Sequence, residues 1–502
     1  MDDIYFYAKR QGPQIKTRGT PTCLLGHQID SGPSRKPDGI FVHWSWDGAR
    51  LTVQNDRYGF FPLFYYCKDG EIGVSPSIHR LIKEGAPTAF DEAGLAVFLR
   101  LGFFIGEDTP YEHIRVLPPN ATLEWDGTLK LLSDGYTLGE PNFTISRDEA
   151  IDTYIALFRQ SIQRRLPPHE RFAIPLSGGR DSRHILFELL HQDHRPVTCV
   201  TIESYPPRSN EDAEVAAAIT RELGLAHVLL SQRESWFKAE YKKNFATSFC
   251  SDEHTWYLGA SDYLAKNFEV AYDGIGGDVL SAALFVNSRR LGLFESGNTE
   301  NIANEMLQDQ NEATLAALLT PEMYARCSRK LAISNLQVEI GKHLCSPNPV
   351  GSFFFWNRTR REIALVPYGL LGSLPHVFSP YLDHDLFDFL VSLPVAMLAD
   401  HAFHTDTISR AYPQYAHIPY QGEIAQDDGH DLNAHLLLKA QFSRDVAKYM
   451  LFTKPSRMMR NSYLFPRLLA SLVSRKFSAH AIWYTPTALY LRQLESLPEI
   501  LD

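Results

Sequence analysis

Two textures of hydrophobic patterning divide the chain. From residue 1 to about 140, short apolar alternations are broken by turn clusters such as Asp69-Gly70, Asp126-Gly127 and Asp134-Gly135. That is a period-two, β-rich pattern, interrupted by one helical stretch near Asp91–Leu101. The texture changes at Ser146-Arg147-Asp148-Glu149, a capping box in which the serine and the glutamate three residues on satisfy each other's backbone donors. Ile151, Ile155, Phe158 and Ile162 follow on one helical face, and Pro167-Pro168 stops the helix. The pattern predicts one domain over 1–145 and a second over 146–502.

From there strand and helix patterns alternate. Phe172–Leu176 reads as a strand, followed by a helix through Leu190, a strand at Val197–Ile202, and a helix from Glu211 to Leu223 with Gly224 at its C′ position. His227–Leu230, a helical stretch and Phe268–Ala271 continue the series. Such alternation predicts a parallel sheet wrapped by helices, an α/β fold whose ligands gather beyond the carboxyl ends of the strands. Beyond about 290 the chain reads as mostly helical, without repeats or low-complexity segments.

Two glycine-rich turns lie at that strand edge. Ser177-Gly178-Gly179-Arg180-Asp181-Ser182 joins the first strand to a helical pattern carried by Ile185, Leu186, Leu189 and Leu190. Its glycines let backbone N–H groups approach an anion, and the helix N-terminus adds unpaired donors. Ser177 and Ser182 supply hydroxyls, and Asp181 suits a magnesium ion shielding phosphate oxygens. Such a loop suits ATP cut so that pyrophosphate leaves, and neither a GxxxxGK[ST] loop nor a GxGxxG opening a helix after a strand is present. The second turn, Asp273-Gly274-Ile275-Gly276-Gly277-Asp278, again follows a strand-like run. Alone, the first reads also as a strand-to-helix turn with small residues for steric reasons, and the second as a tight turn whose aspartate caps a helix. Together they predict that Asp181 and Asp278 converge on one metal. In this reading Ser177, Gly178, Gly179 and Ser182 hold pyrophosphate, and Gly274 admits substrate or ribose close to the second loop.

SGGxDS followed by DGxGGD resembles the asparagine synthetase family, which includes β-lactam synthetases and lasso-peptide cyclases. Asp56-Arg57-Tyr58-Gly59-Phe60-Phe61-Pro62-Leu63-Phe64-Tyr65-Tyr66 is similar to the family's DxxGxxPLYY strand pair. Leu117-Pro118-Pro119-Asn120 resembles its LPPG turn, and Pro380-Tyr381-Leu382-Asp383 with Leu393-Pro394 its PFLD segment and the LP that follows. The resemblance implies an N-terminal Ntn-hydrolase-like domain and a C-terminal PP-loop, adenine-nucleotide α-hydrolase-like sheet with a helical extension. It implies ATP and Mg2+ as cofactors, adenine lying at Leu176 and Ile202, and a carboxylate activated as an acyl-adenylate for attack by ammonia or a substrate amine.

Departures from the family pattern shape that expectation. Members that draw ammonia from glutamine begin Met-Cys-Gly, with the cysteine as nucleophile and its own α-amine as base. This chain begins Met1-Asp2-Asp3-Ile4 and its first cysteine is Cys23, so a glutaminase-inactive domain is expected. Ile275 stands where the loop often carries an acidic or tyrosyl side chain. The stretch from His404 to Gln421 lacks the lysine expected there, Arg410 being its only permanent cation. A macrolactam cyclase or β-lactam-type synthetase would need no glutaminase. The alternative is a non-catalytic homologue that binds nucleotide or a partner.

Composition narrows the partners. Net charge of −10 with no long basic run disfavours nucleic acid. Six scattered cysteines without CxxC spacing, and no secretion signal, suit a reducing cytoplasm. No apolar stretch is long enough to cross a bilayer. The expected partner is a small-molecule or peptide carboxylate, with a homodimer or a pathway protein also compatible. His401 and His404, three residues apart, read as solvated or as capping a helix C-terminus rather than as zinc ligands. Phe353-Phe354-Phe355-Trp356 reads as core, and Arg358, Arg360 and Arg361 as a solvated helix face.

Overall fold

The period-two alternation of the first third yields ten strands in two antiparallel sheets. The computed structural model describes residues 3–30, 36–168, 171–203, 211–231, 234–307, 312–422, 432–474 and 484–501. The strands are β1 (Phe6–Gln11), β2 (Gln14–Gly19), β3 (Thr22–Ile29), β4 (Asp38–Trp46), β5 (Leu51–Asn55), β6 (Phe64–Lys68), β7 (Glu71–Ser75), β8 (Arg115–Val116), β9 (Ala121–Trp125) and β10 (Leu129–Ser133). One sheet runs β2-β1-β7-β6-β8 and the other β10-β9-β5-β4-β3. In β5 and β9 alternate residues turn inward, so that Leu51 faces Trp125 and Val53 faces Leu123 across the ladder, all four buried. Phe6 of the first sheet lies 5.5 Å from Trp46 of the second, ring to ring. Burying side chains of this size contributes about 1.5–3 kcal/mol each. Helix α1 (Ile78–Lys83) and α2 (Glu92–Leu101), the latter capped by Asp91, complete the layer.

The capping box at Ser146 and Glu149 forms and opens helix α3 (Arg147–Arg164), which buries Ile151, Tyr154, Phe158 and Ile162. Strands β11 (Phe172–Pro175), β12 (Thr198–Ile202), β13 (His227–Leu230), β14 (Val270–Tyr272) and β15 (His376–Phe378) then build a parallel sheet in the order β13-β12-β11-β14-β15. Helices α4 (Asp181–His191), α5 (Glu211–Glu222), α6 (Trp236–Ala246) and α7 (Leu258–Asn267) supply the crossovers, and α8 (Gly277–Ser281) follows β14. Beyond residue 290 the described chain is helical apart from β15, whose three residues return beside β14. The Phe353–Trp356 run is core, as its aromatic content predicts. No helix among the described residues is long and apolar enough to cross a membrane.

The two halves are locked together by buried charge. Arg165, at the end of α3, places Nη2 2.6 Å from Asp38 Oδ2 of β4 and Nη1 2.7 Å from Asp383 Oδ2. All three residues are buried. Asp56, also buried, accepts the amides of Tyr58, Phe60 and Phe61 and so shapes the loop between β5 and β6. That loop sets Tyr58 against Phe387 at 4.9 Å and Phe355 at 6.2 Å.

Arg360 and Arg361 differ from the solvated face expected of them. Both are buried, donating to the carbonyls of Gly106 and, respectively, Leu117 and Asp108. A π-turn over Phe355–Thr359 shifts this helix off the 3.6-residue period and rolls the arginines into the junction.

Candidate functional site

Strand order reverses at β11, which pairs with β12 on one side and β14 on the other. The crevice at such a reversal, beyond the carboxyl ends, is where open α/β sheets take their ligands. Both glycine loops leave from these neighbouring strands.

The first loop is held by its own side chains. Leu176 donates its amide to Val200 O at 2.8 Å and accepts from Thr201 Oγ1 at 2.7 Å, which extends β11 toward the loop. The Ser177 amide donates to Ser182 Oγ at 3.2 Å, and the Gly179 amide to Ser177 Oγ at 3.2 Å. The Gly178 amide donates to the carboxylate of Asp212, Oδ1 at 2.8 Å. An anion already sits on that donor, a carboxylate from the start of α5. Helix α4 begins at Asp181 with no side chain capping its first turn, which leaves its end suited to an anionic ligand. Ile202 closes β12 beside Leu230 of β13, half-buried at the same edge as Leu176.

The second loop comes up against the first. A Cβ built on Gly274 would stand 2.6 Å from Asp181 Cβ, and one on Gly277 2.5 Å from Asp181 Oδ1. Only glycine allows that approach, and Gly276 adds a left-handed turn with φ +91°. The space before Gly274 is therefore filled by Asp181. Asp181 Oδ1 has no hydrogen-bond partner among the described residues. Burial, then repulsion from Asp278, hold the Asp181 carboxyl well above the usual range. Burial also raises Asp278, against the opposing pull of Arg358, and raises Asp273 to about 6. Asp181, Asp273 and Asp278 thus lie close enough to repel, and one buried oxygen of Asp181 is left without a hydrogen bond.

Behind Asp181 lies a group that sequence patterning missed. His404 Nδ1 is 3.4 Å from Asp181 Oδ1. Its Nε2 is 3.3 Å from both His184 Nδ1 and the Tyr381 hydroxyl, and Tyr381 also donates to Asp181 O at 3.3 Å. Burial and nearby Arg180 push His404 down to about 3, so the imidazole is neutral. His404 is thus buried rather than solvated, whereas His401 is exposed. A three-residue spacing on a half-buried helix carries no signal that separates the two.

Other candidates fall outside the crevice. Arg410 pairs with Asp148 and Asp152 of α3, away from both loops. Ile275 is buried and its amide donates to Asp273 Oδ1 at 2.8 Å. Arg358 pairs with Glu253 Oε2 at 3.1 Å and Glu362 Oε2 at 3.5 Å.

Comparison with known proteins agrees with this geometry. Residues 153–338, which hold both glycine loops, match the asparagine synthase family, and residues 9–133 match the glutamine amidotransferase domain family. Between them these segments take in more than half of the chain. No individual curated protein matches it. Among solved structures, an NMN synthetase from Francisella tularensis aligns over 42% of this chain and 93% of its own at 14% identity, with a TM-score of 0.20. A likeness that slight carries no argument. The two domain matches and the paired glycine loops agree: this chain carries an asparagine synthase domain behind a glutamine amidotransferase-type domain.

Proposed function

We propose that the chain activates a carboxylic acid with ATP and passes the acyl group to an amine. The substrate carboxylate attacks the α-phosphorus, the bond to the β-phosphate oxygen breaks, and pyrophosphate leaves with that electron pair. The amine nitrogen then attacks the acyl carbon of the mixed anhydride. AMP departs with the carbon–oxygen bonding electrons, and the nitrogen loses a proton to give the amide. The observation that supports this reading is the contact between loops: Asp181 packs on Gly274 and Gly277 and is repelled by Asp278.

Asp181 and Asp278 would hold magnesium, and the bare Asp181 Oδ1 together with the mutual repulsion of the acids fits that ion. Bound there, the ion would supply charge neutralisation on the phosphate oxygens. The amides of Ser177, Gly178 and Gly179 would turn from their internal acceptors to pyrophosphate oxygens, Asp212 giving up Gly178. Leu176 and Ile202, at the ends of adjacent strands, would flank adenine.

Glutamine is not the nitrogen source in this reading. Cys23 and Cys67 lie within β3 and β6, where their amides belong to the chain, and burial raises both thiols. Free ammonia or an amine on the substrate supplies the nucleophile, as a macrolactam or β-lactam synthetase would require. Isotope exchange tests the reaction. Purified protein, ATP and labelled pyrophosphate are incubated with a panel of carboxylic acids, with Asp181→Ala as control. Acid-dependent label in ATP is expected from the wild type alone; no exchange across a broad panel contradicts the reading.

A further inference from the structure

A triphosphate brings several negative charges to a crevice already lined by Asp181, Asp212, Asp273 and Asp278, so the site needs fixed cations as well as a metal. Most arginines nearby are committed. Arg183 spends its guanidinium on the carbonyls of Ile418 and Pro419, at 2.9 and 2.6 Å. Arg358 is taken by Glu253 and Glu362, and Arg410 by Asp148 and Asp152. Arg180 differs. It occupies the variable position of the first loop, between Gly179 and Asp181. Its Nε donates to Thr405 Oγ1 at 2.5 Å and its guanidinium lies 4.9 Å from the Tyr420 ring centre. Its two Nη groups have no hydrogen-bond or carboxylate partner among the described residues.

Given the nucleotide reading above, we propose that Arg180 is a phosphate-contacting residue that grips the departing pyrophosphate. Thr405 and Tyr420 hold the guanidinium by its Nε edge and its face, leaving the outer fork free for two parallel N–H···O contacts. The segment that holds it is itself pinned to the loop, since the Gln421 amide donates to Gly178 O at 3.1 Å. One residue thereby connects the phosphate loop to the helix Phe403–Ala411 and to the segment after it. A charge preorganised in this way stabilises negative charge where it accumulates as the α–β bridge breaks.

The test compares inorganic pyrophosphate and adenosine as calorimetric probes of wild type, Arg180→Ala, Arg180→Lys and Thr405→Val. Arg180→Ala should weaken pyrophosphate binding about 10- to 100-fold, the range for a charge-assisted hydrogen-bonded contact. Adenosine, which lacks phosphate, should bind all four proteins alike, as a general loss of structure would not allow. Arg180→Lys should recover part of the affinity as a point charge, and Thr405→Val should lose part of it. Wild-type pyrophosphate affinity in Arg180→Ala, or equal losses for both probes, overturns the assignment while leaving the nucleotide reading intact. A wild type that binds neither adenosine nor pyrophosphate removes that reading, and this assignment with it.

Discussion

The carboxyl of Asp181 rests on the α-carbon of Gly277, close enough that a methyl group there would overlap Oδ1. Ninety-six positions separate the two residues in sequence, yet they share one crevice because their strands are neighbours. Gly277→Ala should therefore push the loops apart. We expect acid-dependent pyrophosphate exchange to fall by more than about 100-fold, with a stability loss of about 1–3 kcal/mol from overpacking. Exchange rates and urea midpoints measured together check both; an active Gly277→Ala enzyme would mean the contact is incidental.

The buried Asp38–Arg165–Asp383 group ties β4 to the parallel-sheet half. Removing its cation leaves two carboxylates in the interior, Asp383 still met by Arg164 and Asp38 by His384 at 3.5 Å. Arg165→Met should cost about 3–5 kcal/mol. Asp38→Asn, which keeps the guanidinium paired with Asp383, should cost less. Chemical denaturation of the two variants gives the comparison, and the opposite order would mean that burial of Asp38 is the costlier feature.

His27 of β3 packs edge-on against Phe378 of β15 at 4.9 Å. Burial, with Arg165 nearby, holds its imidazole at about 3 against an ordinary value of 6.5. Below pH 6.5 the unfolded chain takes up a proton that the folded chain refuses, so stability falls as pH drops toward 3. The loss reaches about 1.4 kcal/mol per pH unit for one such group. His27→Gln should remove that component. Its urea midpoint should fall less than the wild type's between pH 7 and pH 5; parallel declines would contradict the assignment.

Cys23 and Cys67 are strand thiols with raised affinity for their protons. Glutamine should release no glutamate above background, and Cys23→Ser and Cys67→Ser should leave amine-dependent activity within about twofold, as changes of a half-buried thiol to a hydroxyl cost little. Glutamate released in proportion to enzyme, and lost in either variant, would restore glutamine as the donor.

Much of this architecture is legible in residue patterns, for reasons that differ by element. Alternation in β5 and β9 reports one buried face directly, and Ser146 with Glu149 announces α3 because the capping chemistry is local. Strand β15 is not legible: three residues, His376–Phe378, are too few for any period to register. The arginine run at Arg358–Arg361 misleads because a π-turn breaks the spacing from which helical faces are inferred. The loops and their aspartates can be read because glycine is required where backbones meet. The group behind them cannot: His184, Tyr381 and His404 come from three distant segments, and only the folded sheet brings them to Asp181.

The central claim is that Asp181 and Asp278 bind one metal between two loops. Electron paramagnetic resonance of Mn2+, titrated into protein with a non-hydrolysable ATP analogue, addresses it without turnover. The wild type should show one tight, nucleotide-dependent Mn2+ site per chain. Asp181→Asn and Asp278→Asn should each abolish it, while removing the carboxylate repulsion should keep or raise the melting temperature of the free protein. If either variant retains the tight site, the two carboxylates do not share an ion and the account fails.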